Sequence, residues 1–223
     1  MSSRTSWFLA SAALAVAVYA LMWTGYALQW NWLLAIDSSW LDTMHRYGIA
    51  HPGWVTAWNV FCTVLGPTVF RLLALVVIIY SLVRQNLRVA FLLVISVELS
   101  GLITEIAKYA ANRPRPATAL VSASSTAFPS GHALGVMVGV LALLTVVLPV
   151  IRRQLRVWLV ALGAVTVIAI GIGRVVLNVH HPSDVIAGWA LGYAYFVACL
   201  LMIPPSRPVT VTDETPAALD TAR

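Results

Sequence analysis

Six long apolar stretches, separated by short segments rich in charge, proline or polar residues, constrain this chain more than any other feature. They lie at 7–29, 62–83, 88–108, 131–151, 155–177 and 184–204. Each is close to the ~20 residues that an α-helix needs to cross the hydrocarbon core of a bilayer. With 60% hydrophobic residues and a mean hydropathy of +0.86, the chain is too apolar to cover the surface of a soluble domain. The sequence therefore predicts an all-α polytopic membrane protein with six transmembrane helices.

The apolar stretches also set the limits of the domain. Arg4 and the sequence Ala15-Val16-Ala17 resemble a secretion signal with its cleavage site. The apolar run continues through Leu28, however, so we expect an uncleaved first helix. We expect a single membrane domain over 1–204 and a disordered cytoplasmic tail over 205–223, which carries prolines and scattered acidic residues.

The connector between the first two apolar stretches, residues 30–61, contains five of the nine tryptophans. Apolar residues recur there at helical spacing, at Trp40, Leu41, Met44 and Tyr47. With Ser38 or Ser39 as the N-cap and Gly48 as the end, this pattern predicts an amphipathic helix in the membrane interface. Such a helix is either a membrane anchor or a lateral gate between the bilayer and the protein interior.

The distribution of charge predicts how the chain is oriented in the membrane and argues against a nucleic-acid-binding protein. With six spans, seven arginines fall on one side of the membrane: Arg4, Arg84, Arg88, Arg152, Arg153, Arg156 and Arg207. Positive charge in short loops favours the cytoplasm, so we expect both termini inside the cell. The net charge of +6 is divided among loops and forms no basic, aromatic-rich face for nucleic acid. Cys62 and Cys199 lie in separate apolar stretches and predict neither a disulfide nor a metal site.

The other polar residues cluster at the opposite membrane edge, in three segments. In the first, Pro129 and Ser130 precede Gly131 and His132 at the start of an apolar stretch. Ser130 is a good N-cap, and the free amides of a helix start favour an anion. Gly131 lets that anion approach the backbone. A capped helix whose histidine meets headgroup water is the alternative.

The second segment carries Lys108 and, seven residues later, Arg115-Pro116. The prolines keep the residues before them extended, and guanidinium groups on a stiff segment can hold a phosphate. The alternative is that these basic residues reach lipid headgroups, and we expect this of Arg113. Glu105, three residues before Lys108, is expected to orient its ammonium group.

The third segment contains Arg174, His180 and Asp184. Ser183 is the expected N-cap of the last helix, which places Asp184 in its first turn. A carboxylate on one imidazole nitrogen fixes the tautomer of His180 and leaves the other nitrogen free to attack. The alternative for Asp184 is a favourable interaction with the helix dipole, and His181 is expected to be a polar loop residue.

Two further charges, Arg71 and Glu98, lie deeper in the second and third apolar stretches. Counting about 1.5 Å per residue puts them at similar depth. An isolated charge in a bilayer is costly, so the sequence predicts that these two side chains pair.

Together the three polar segments resemble the type 2 phosphatidic acid phosphatase family, the lipid phosphate phosphatases. That family is known by K-x6-R-P, P-S-G-H and S-R-x5-H-x3-D. The matching residues run from Lys108 to Pro116, from Pro129 to His132 and from Gly173 to Asp184, with every internal spacing kept. The resemblance covers roughly residues 60–204. Gly173 departs from the pattern, because the family usually has serine there, and this puts one phosphate contact in question.

The resemblance implies a phosphatase of membrane lipid phosphates or diphosphates that needs neither metal nor cofactor. His180 would attack phosphorus to form a phosphohistidine, Asp184 would stabilise the imidazolium, and His132 would protonate the leaving oxygen. The phosphate oxygens would be held by Lys108, Arg115, Ser130, Gly131 and Arg174. Phosphatidic acid, phosphatidylglycerol phosphate and polyprenyl diphosphate all suit a site on the extracytoplasmic face of the plasma membrane.

Two other functions would use the same cationic pocket. A non-catalytic protein could bind or transport a lipid phosphate, although binding alone needs no imidazole. Vanadate-dependent peroxidase chemistry occurs in soluble relatives of the family, and six spans disfavour it. The sequence leaves the lipid and the oligomeric state open.

Overall fold

The computed structural model describes residues 3–205, with the main chain alone at Arg4, and this part of the chain contains helices and loops but no strand. The predicted all-α class is confirmed. In chain order the helices are α1 (Ser3–Ala27), α2 (Asn31–Ala50), α3 (Pro52–Val64), α4 (Pro67–Val83), α5 (Leu87–Leu93), α6 (Ser100–Ala111), α7 (Gly131–Val147), α8 (Arg153–Val176) and α9 (Pro182–Met202). A π-helical segment, Val94–Glu98, joins α5 to α6. Apart from Pro205, the tail predicted to be disordered lies outside the described residues.

Several helical stretches are long and apolar enough to cross a bilayer. They are Thr5–Ala27, Pro52–Val83, Leu87–Ala111, Arg153–Val176 and Pro182–Met202, and they overlap five of the six predicted spans. At the remaining one, α7 is apolar but has 17 residues, which is about 26 Å of helix against a hydrocarbon core of about 30 Å. A multi-pass membrane protein is therefore confirmed, and the count of six spans stays a prediction.

Helix α7 packs against α4, α8 and α9, and a glycine brings α9 close to it. A side chain at Gly188 would lie 2.6 Å from the Ser130 carbonyl oxygen. Leu134 and Val138 of α7 are fully buried, in a core that includes residues of α4, α5 and α9. The close fit sets the start of α9 beside the start of α7, where the Ser130 amide donates to the Asp184 carbonyl oxygen at 2.9 Å.

The predicted second span, 62–83, is wrong at its beginning. Two helices, α3 and α4, occupy this region, and the chain breaks before α4 starts at Pro67. Pro67 is tolerated there because the first residue of a helix needs no N–H donor. Gly66 permits the tight junction, since a Cβ on it would lie 2.5 Å from the Cys62 carbonyl oxygen. The junction sets Gly66 beside the His132 ring, 3.4 Å from the same Cβ position.

The predicted amphipathic helix exists as α2, but its expected ends are wrong. Ser38 and Ser39 lie inside it, where their hydroxyls donate to carbonyls of the preceding turn. The helix continues past Gly48 to Ala50. Gly48 is a contact position instead of an end, because a side chain there would collide with Leu120.

The two faces of α2 differ as an amphipathic helix requires. Trp32 and Trp40 are exposed, whereas Leu33 and Leu41 are buried. Asp37 is also buried, with 1% of its surface exposed. A buried carboxylate requires partners, and those of Asp37 lie at the candidate site.

Candidate active site

The three polar segments meet at one cavity of about 660 Å³. Six of the predicted site residues line it: Lys108, Arg115, Gly131, His132, Arg174 and His180. The other two, Ser130 and Asp184, are fully buried behind its wall. The segments converge because α6 and α8 end, and α7 and α9 begin, at the same end of the bundle.

His180 presents one imidazole nitrogen to this cavity. The residue is 1% exposed, and its Nε2 lies 3.2 Å from Arg115 Nη1. A guanidinium only donates hydrogen bonds, so we infer that Nε2 accepts and that the proton of the neutral ring is on Nδ1. Burial lowers the pKa of His180 to about 4, against the opposing effect of Asp184. The ring is therefore neutral near pH 7, with the Nε2 lone pair available.

Several donors surround Asp184, and His180 is not the nearest of them. Oδ2 lies 3.6 Å from His180 Nδ1, which is too long for a good hydrogen bond, and Nδ1 has no hydrogen-bond partner in the part of the chain that the structure describes. Oδ2 accepts from the His181 amide at 2.8 Å and contacts the His181 ring at 3.0 Å. Oδ1 accepts from Arg113 at 2.6 Å. The carboxylate faces the Nδ1 edge of His180, where it would favour an imidazolium.

Arg113 is a buried ion, so the prediction that it reaches lipid headgroups is wrong. It is 3% exposed, and it joins two carboxylates: Nη1 to Asp184 at 2.6 Å and Nη2 to Asp37 at 2.8 Å. The Tyr26 ring of α1 lies 4.7 Å from its guanidinium carbon. Each of these ions is costly to bury alone. Arg113 therefore holds the carboxylate that faces His180.

Asp37 of α2 completes this buried network, and the sequence reasoning missed it. Its two oxygens accept from the amide of Ser183 at 3.0 Å and from the Ser183 hydroxyl at 2.6 Å. The N-cap of α9 is His181, not Ser183 as predicted, and the bonds of His181 to Asp184 show that it is more than a polar loop residue. An acidic residue within an otherwise apolar helical turn was the available signal for Asp37.

Lys108 is held by the loop that follows α6, not by Glu105. Its Nζ donates to the Ser125 hydroxyl at 2.8 Å and to the Thr126 carbonyl oxygen. Glu105 is exposed and lies in none of the ion pairs found among residues 3–205, so its predicted role is wrong. The Ser125 hydroxyl also accepts from Arg115 Nη2 at 3.3 Å. Ser125 thus positions two cations, and the sequence reasoning missed it.

Arg174 reaches the cavity from the last turn of α8, and its Nε hydrogen-bond donor is unused among the described residues. It is buried, and its Nε has no hydrogen-bond partner. The residue before it, Gly173, has no room for a side chain, because a Cβ would lie 2.5 Å from Cys62 Sγ and 2.8 Å from Trp58 Cε3. These two side chains of α3 fill the space that a serine would need, so no hydroxyl stands there to contact a phosphate.

The start of α7 has the predicted form. Ser130 is the N-cap, and its hydroxyl accepts from the Ala133 amide at 3.5 Å. Gly131 lies in a narrow gap, where a side chain would come 3.1 Å from Thr104 Cγ2. His132 follows on the cavity wall. The cavity therefore has one imidazole on α7 and another, His180, on the loop before α9.

The predicted pair between Arg71 and Glu98 does not form. Arg71 Nε and Glu98 Oε1 each lack a hydrogen-bond partner, and neither residue belongs to an ion pair of the described chain. Glu98 is the last residue of the π-helical segment Val94–Glu98. The Arg71 guanidinium lies instead against Gly101, on the cavity wall.

The cavity suits an anion with several negative charges. Within residues 3–205, four cations line it, Arg71, Lys108, Arg115 and Arg174, with one carboxylate, Glu105. Burial lowers the pKa of Arg115, although a guanidinium stays charged in proteins. Preorganised cations in a partly buried site stabilise a phosphoryl group during transfer.

The model of the PAP2 superfamily matches residues 89–208, which is more than half of the chain. The chain belongs to the PAP2 superfamily. The matched region contains every predicted site residue, from Lys108 to Asp184, and the resemblance stated above is confirmed.

Two curated relatives of this PAP2 protein are phosphatases by name. It is 33% identical over 116 residues to an undecaprenyl-diphosphatase of Sulfolobus acidocaldarius, covering 49% of this chain and 52% of the relative. It is 35% identical over 99 residues to phosphatidylglycerophosphatase B of Bacillus subtilis, covering 43% of this chain and 48% of the relative. The alignments thus span about half the length of each curated relative.

A solved structure shares the fold. The crystal structure of a transmembrane PAP2-type phosphatidylglycerolphosphate phosphatase from Bacillus subtilis matches with a TM-score of 0.73 and 21% identity. The match covers 86% of this chain and 95% of that one. At this identity the likeness describes the fold.

Proposed function

We propose that this PAP2 protein is a membrane lipid phosphatase that hydrolyses phosphomonoester or diphosphate lipids through a phosphohistidine on His180. The observation that carries the proposal is the His180 ring, whose Nε2 lies 3.2 Å from Arg115 Nη1 beside a cationic cavity. The phosphatase names of both curated relatives support it. A non-catalytic binding or transport protein, the alternative, has no such support.

In the first step, Nε2 of His180 attacks the terminal phosphorus. The bond from phosphorus to the leaving oxygen breaks, that oxygen keeps the electron pair, and His132, which takes up a proton when the phosphate anion binds beside it, gives that proton to the oxygen. Asp184, 3.6 Å from Nδ1, stabilises the positive charge that develops on the ring. The phosphoryl oxygens are held by Lys108, Arg115, Arg174, Ser130 and the backbone of Gly131.

In the second step, water attacks the phosphohistidine and gives a proton to His132. The bond between phosphorus and nitrogen breaks, its electron pair returns to Nε2, and phosphate leaves. Both imidazoles recover their starting states, so the cycle consumes only water and the lipid phosphate. Cations of the chain supply the charge stabilisation, and the proposed scheme includes no metal and no cofactor.

The site is proposed to face the outside of the plasma membrane. Arg84 and Arg88 flank the junction of α4 and α5, and Arg152 and Arg153 are the N-cap and the first residue of α8. Both junctions lie at the end of the bundle away from the cavity, because α4 and α7 run away from it. Cytoplasmic loops carry an excess of arginine and lysine, which supports a cytoplasmic position for that end.

Replacement of His180 tests the proposed function. We expect purified wild-type protein to release phosphate from lipid phosphates in the presence of EDTA, and to retain labelled phosphate in an acid-labile, base-stable form. His180→Gln should reduce turnover by at least 10³-fold, in line with the loss of a nucleophile. The matched control is His51→Gln, at an exposed histidine, which should retain full activity. Turnover retained by His180→Gln would refute the nucleophile, and activity lost with EDTA would refute the metal-free scheme.

A further inference from the structure

Among the described residues that line the cavity, Arg71 is the one cation that the predicted site leaves out. It lies on α4, in the stretch long enough to cross the membrane, where an unpaired charge is costly. Its Nε has no hydrogen-bond partner, and no ion pair among residues 3–205 includes it. A Cβ on Gly101 would lie 2.5 Å from its Nη2, so the absence of a side chain at Gly101 makes room for the guanidinium at the cavity wall.

Two neighbours locate Arg71 relative to the phosphate site. Gly101 lies one helical turn before Thr104, which contacts Gly131 at the start of α7. Arg71 and the start of α7 therefore approach neighbouring turns of the same helix, α6. The start of α4, at Gly66, is beside the His132 ring. Arg71 is therefore on the side of the cavity where His132 would protonate the leaving group.

The chemistry of the leaving group explains a cation at this position. A simple lipid phosphomonoester releases an uncharged alcohol, which cannot form an ion pair with a guanidinium. A lipid diphosphate releases a lipid monophosphate, whose oxygens carry negative charge as the bond to the terminal phosphorus breaks. A guanidinium can hold such a phosphate through two parallel hydrogen bonds.

We infer that Arg71 binds a second phosphate of the substrate, on the leaving-group side, and makes the enzyme prefer lipids that carry one. This inference rests on the proposed function. When Nε2 of His180 attacks the terminal phosphorus, the bridging oxygen takes the electron pair and the proton of His132. Arg71 then holds the departing phosphate through its remaining oxygens. Arg71 is thus a specificity-determining residue for the leaving group.

Arg71→Gln tests this inference by comparing substrates that differ in one phosphate. We expect the ratio of kcat/KM for farnesyl diphosphate to that for farnesyl monophosphate to fall about 10- to 100-fold, the loss expected for hydrogen bonds to a charged group. Arg71→Lys should retain part of the preference. The matched control is Arg84→Gln, at the exposed far end of α4, which should leave the ratio unchanged. An unchanged ratio in Arg71→Gln would overturn the inference.

The second phosphate could be bonded directly to the terminal one, as in farnesyl diphosphate, or separated from it by glycerol, as in phosphatidylglycerophosphate. Assaying phosphatidylglycerophosphate as well distinguishes these two cases. An Arg71→Gln effect confined to farnesyl diphosphate supports a directly bonded second phosphate, and an effect on both lipids supports a site that accepts either.

A binding measurement separates this inference from the proposed function. Methylenediphosphonate cannot be hydrolysed at its central bond, and it should raise the melting temperature of wild-type protein more than inorganic phosphate does. Arg71→Gln should lose that difference whether or not the protein turns over a lipid. Equal stabilisation of the wild type by both anions would overturn the role of Arg71, even with full phosphatase activity.

Discussion

Replacement of Arg113 by methionine tests the claim that a buried ion network holds the active-site carboxylate. The substitution keeps an apolar chain of similar length but removes the charge that lies 2.6 Å from Asp184 and 2.8 Å from Asp37. Both carboxylates would remain buried without their main counter-ion. Breaking a buried ion pair by removing one partner costs about 3–5 kcal/mol. We therefore expect Arg113→Met to destabilise the protein by about that amount.

Thermal unfolding in detergent measures this loss. For a chain of this length, each kcal/mol lowers the melting temperature by roughly 2–4 °C, so we expect a decrease of about 6–20 °C. Arg113→Lys should fall between Arg113→Met and the wild type, because one ammonium group cannot make the two bonds that a guanidinium makes through Nη1 and Nη2. Arg46→Met, at an exposed arginine of α2, is the matched control and should change little.

A double-mutant cycle with Asp37→Asn identifies the cause. Once Asp37 is neutral, Arg113→Met leaves one unpaired carboxylate instead of two, so the loss should be smaller than the sum of the single losses, by about 0.5–3 kcal/mol. A melting temperature of Arg113→Met within about 2 °C of the wild type, or strict additivity with Asp37→Asn, would refute the reasoning.

Two further predictions concern His180, on the cavity wall, and Gly173, which packs against α3. Because burial lowers the pKa of His180 to about 4, its ring should stay neutral, and able to attack, until the pH falls through that value. The measurement is a ¹⁵N titration of the imidazoles. A titration near 6.5 that disappears in His180→Gln would contradict this prediction. Gly173→Ser should lower the melting temperature by several degrees, because the new Cβ would lie 2.5 Å from Cys62 Sγ. The double variant with Cys62→Ala should recover part of that loss. If it recovers none, a collision with Cys62 is not the cause.

Local patterns in the sequence were sufficient for most of the helices and for six of the residues that line the cavity. Ser130 is the N-cap of α7, because a cap depends on the residue and its immediate neighbours. The break before Pro67 was missed for a different reason. It depends on the close approach of Gly66 to Cys62 and His132, while the apolar pattern on both sides continues without interruption.

Ion pairs show the limit of local reasoning most clearly. Arg113, at the end of an apolar stretch, has the sequence context of an arginine that reaches lipid headgroups. It is buried because Tyr26 of α1 and Asp37 of α2 lie over it. Arg71 and Glu98, by contrast, have similar depth on adjacent stretches by sequence counting, yet no ion pair among residues 3–205 joins them. Glu98 ends a π-helical segment, Val94–Glu98, that the apolar pattern did not predict.

By itself, the amino-acid sequence determined which stretches are helical and which chemical groups stand at the helix ends near the cavity, because helix formation and capping depend on nearby residues. Only the tertiary structure decided which charges meet. Asp37 and Ser183 are 146 residues apart in the chain, yet the Ser183 amide nitrogen lies 3.0 Å from Asp37 Oδ1. Gly173 likewise faces Cys62 of another helix. Burial and pairing of charge are properties of the space between helices, so they follow from how the helices pack and not from the order of residues along any one of them.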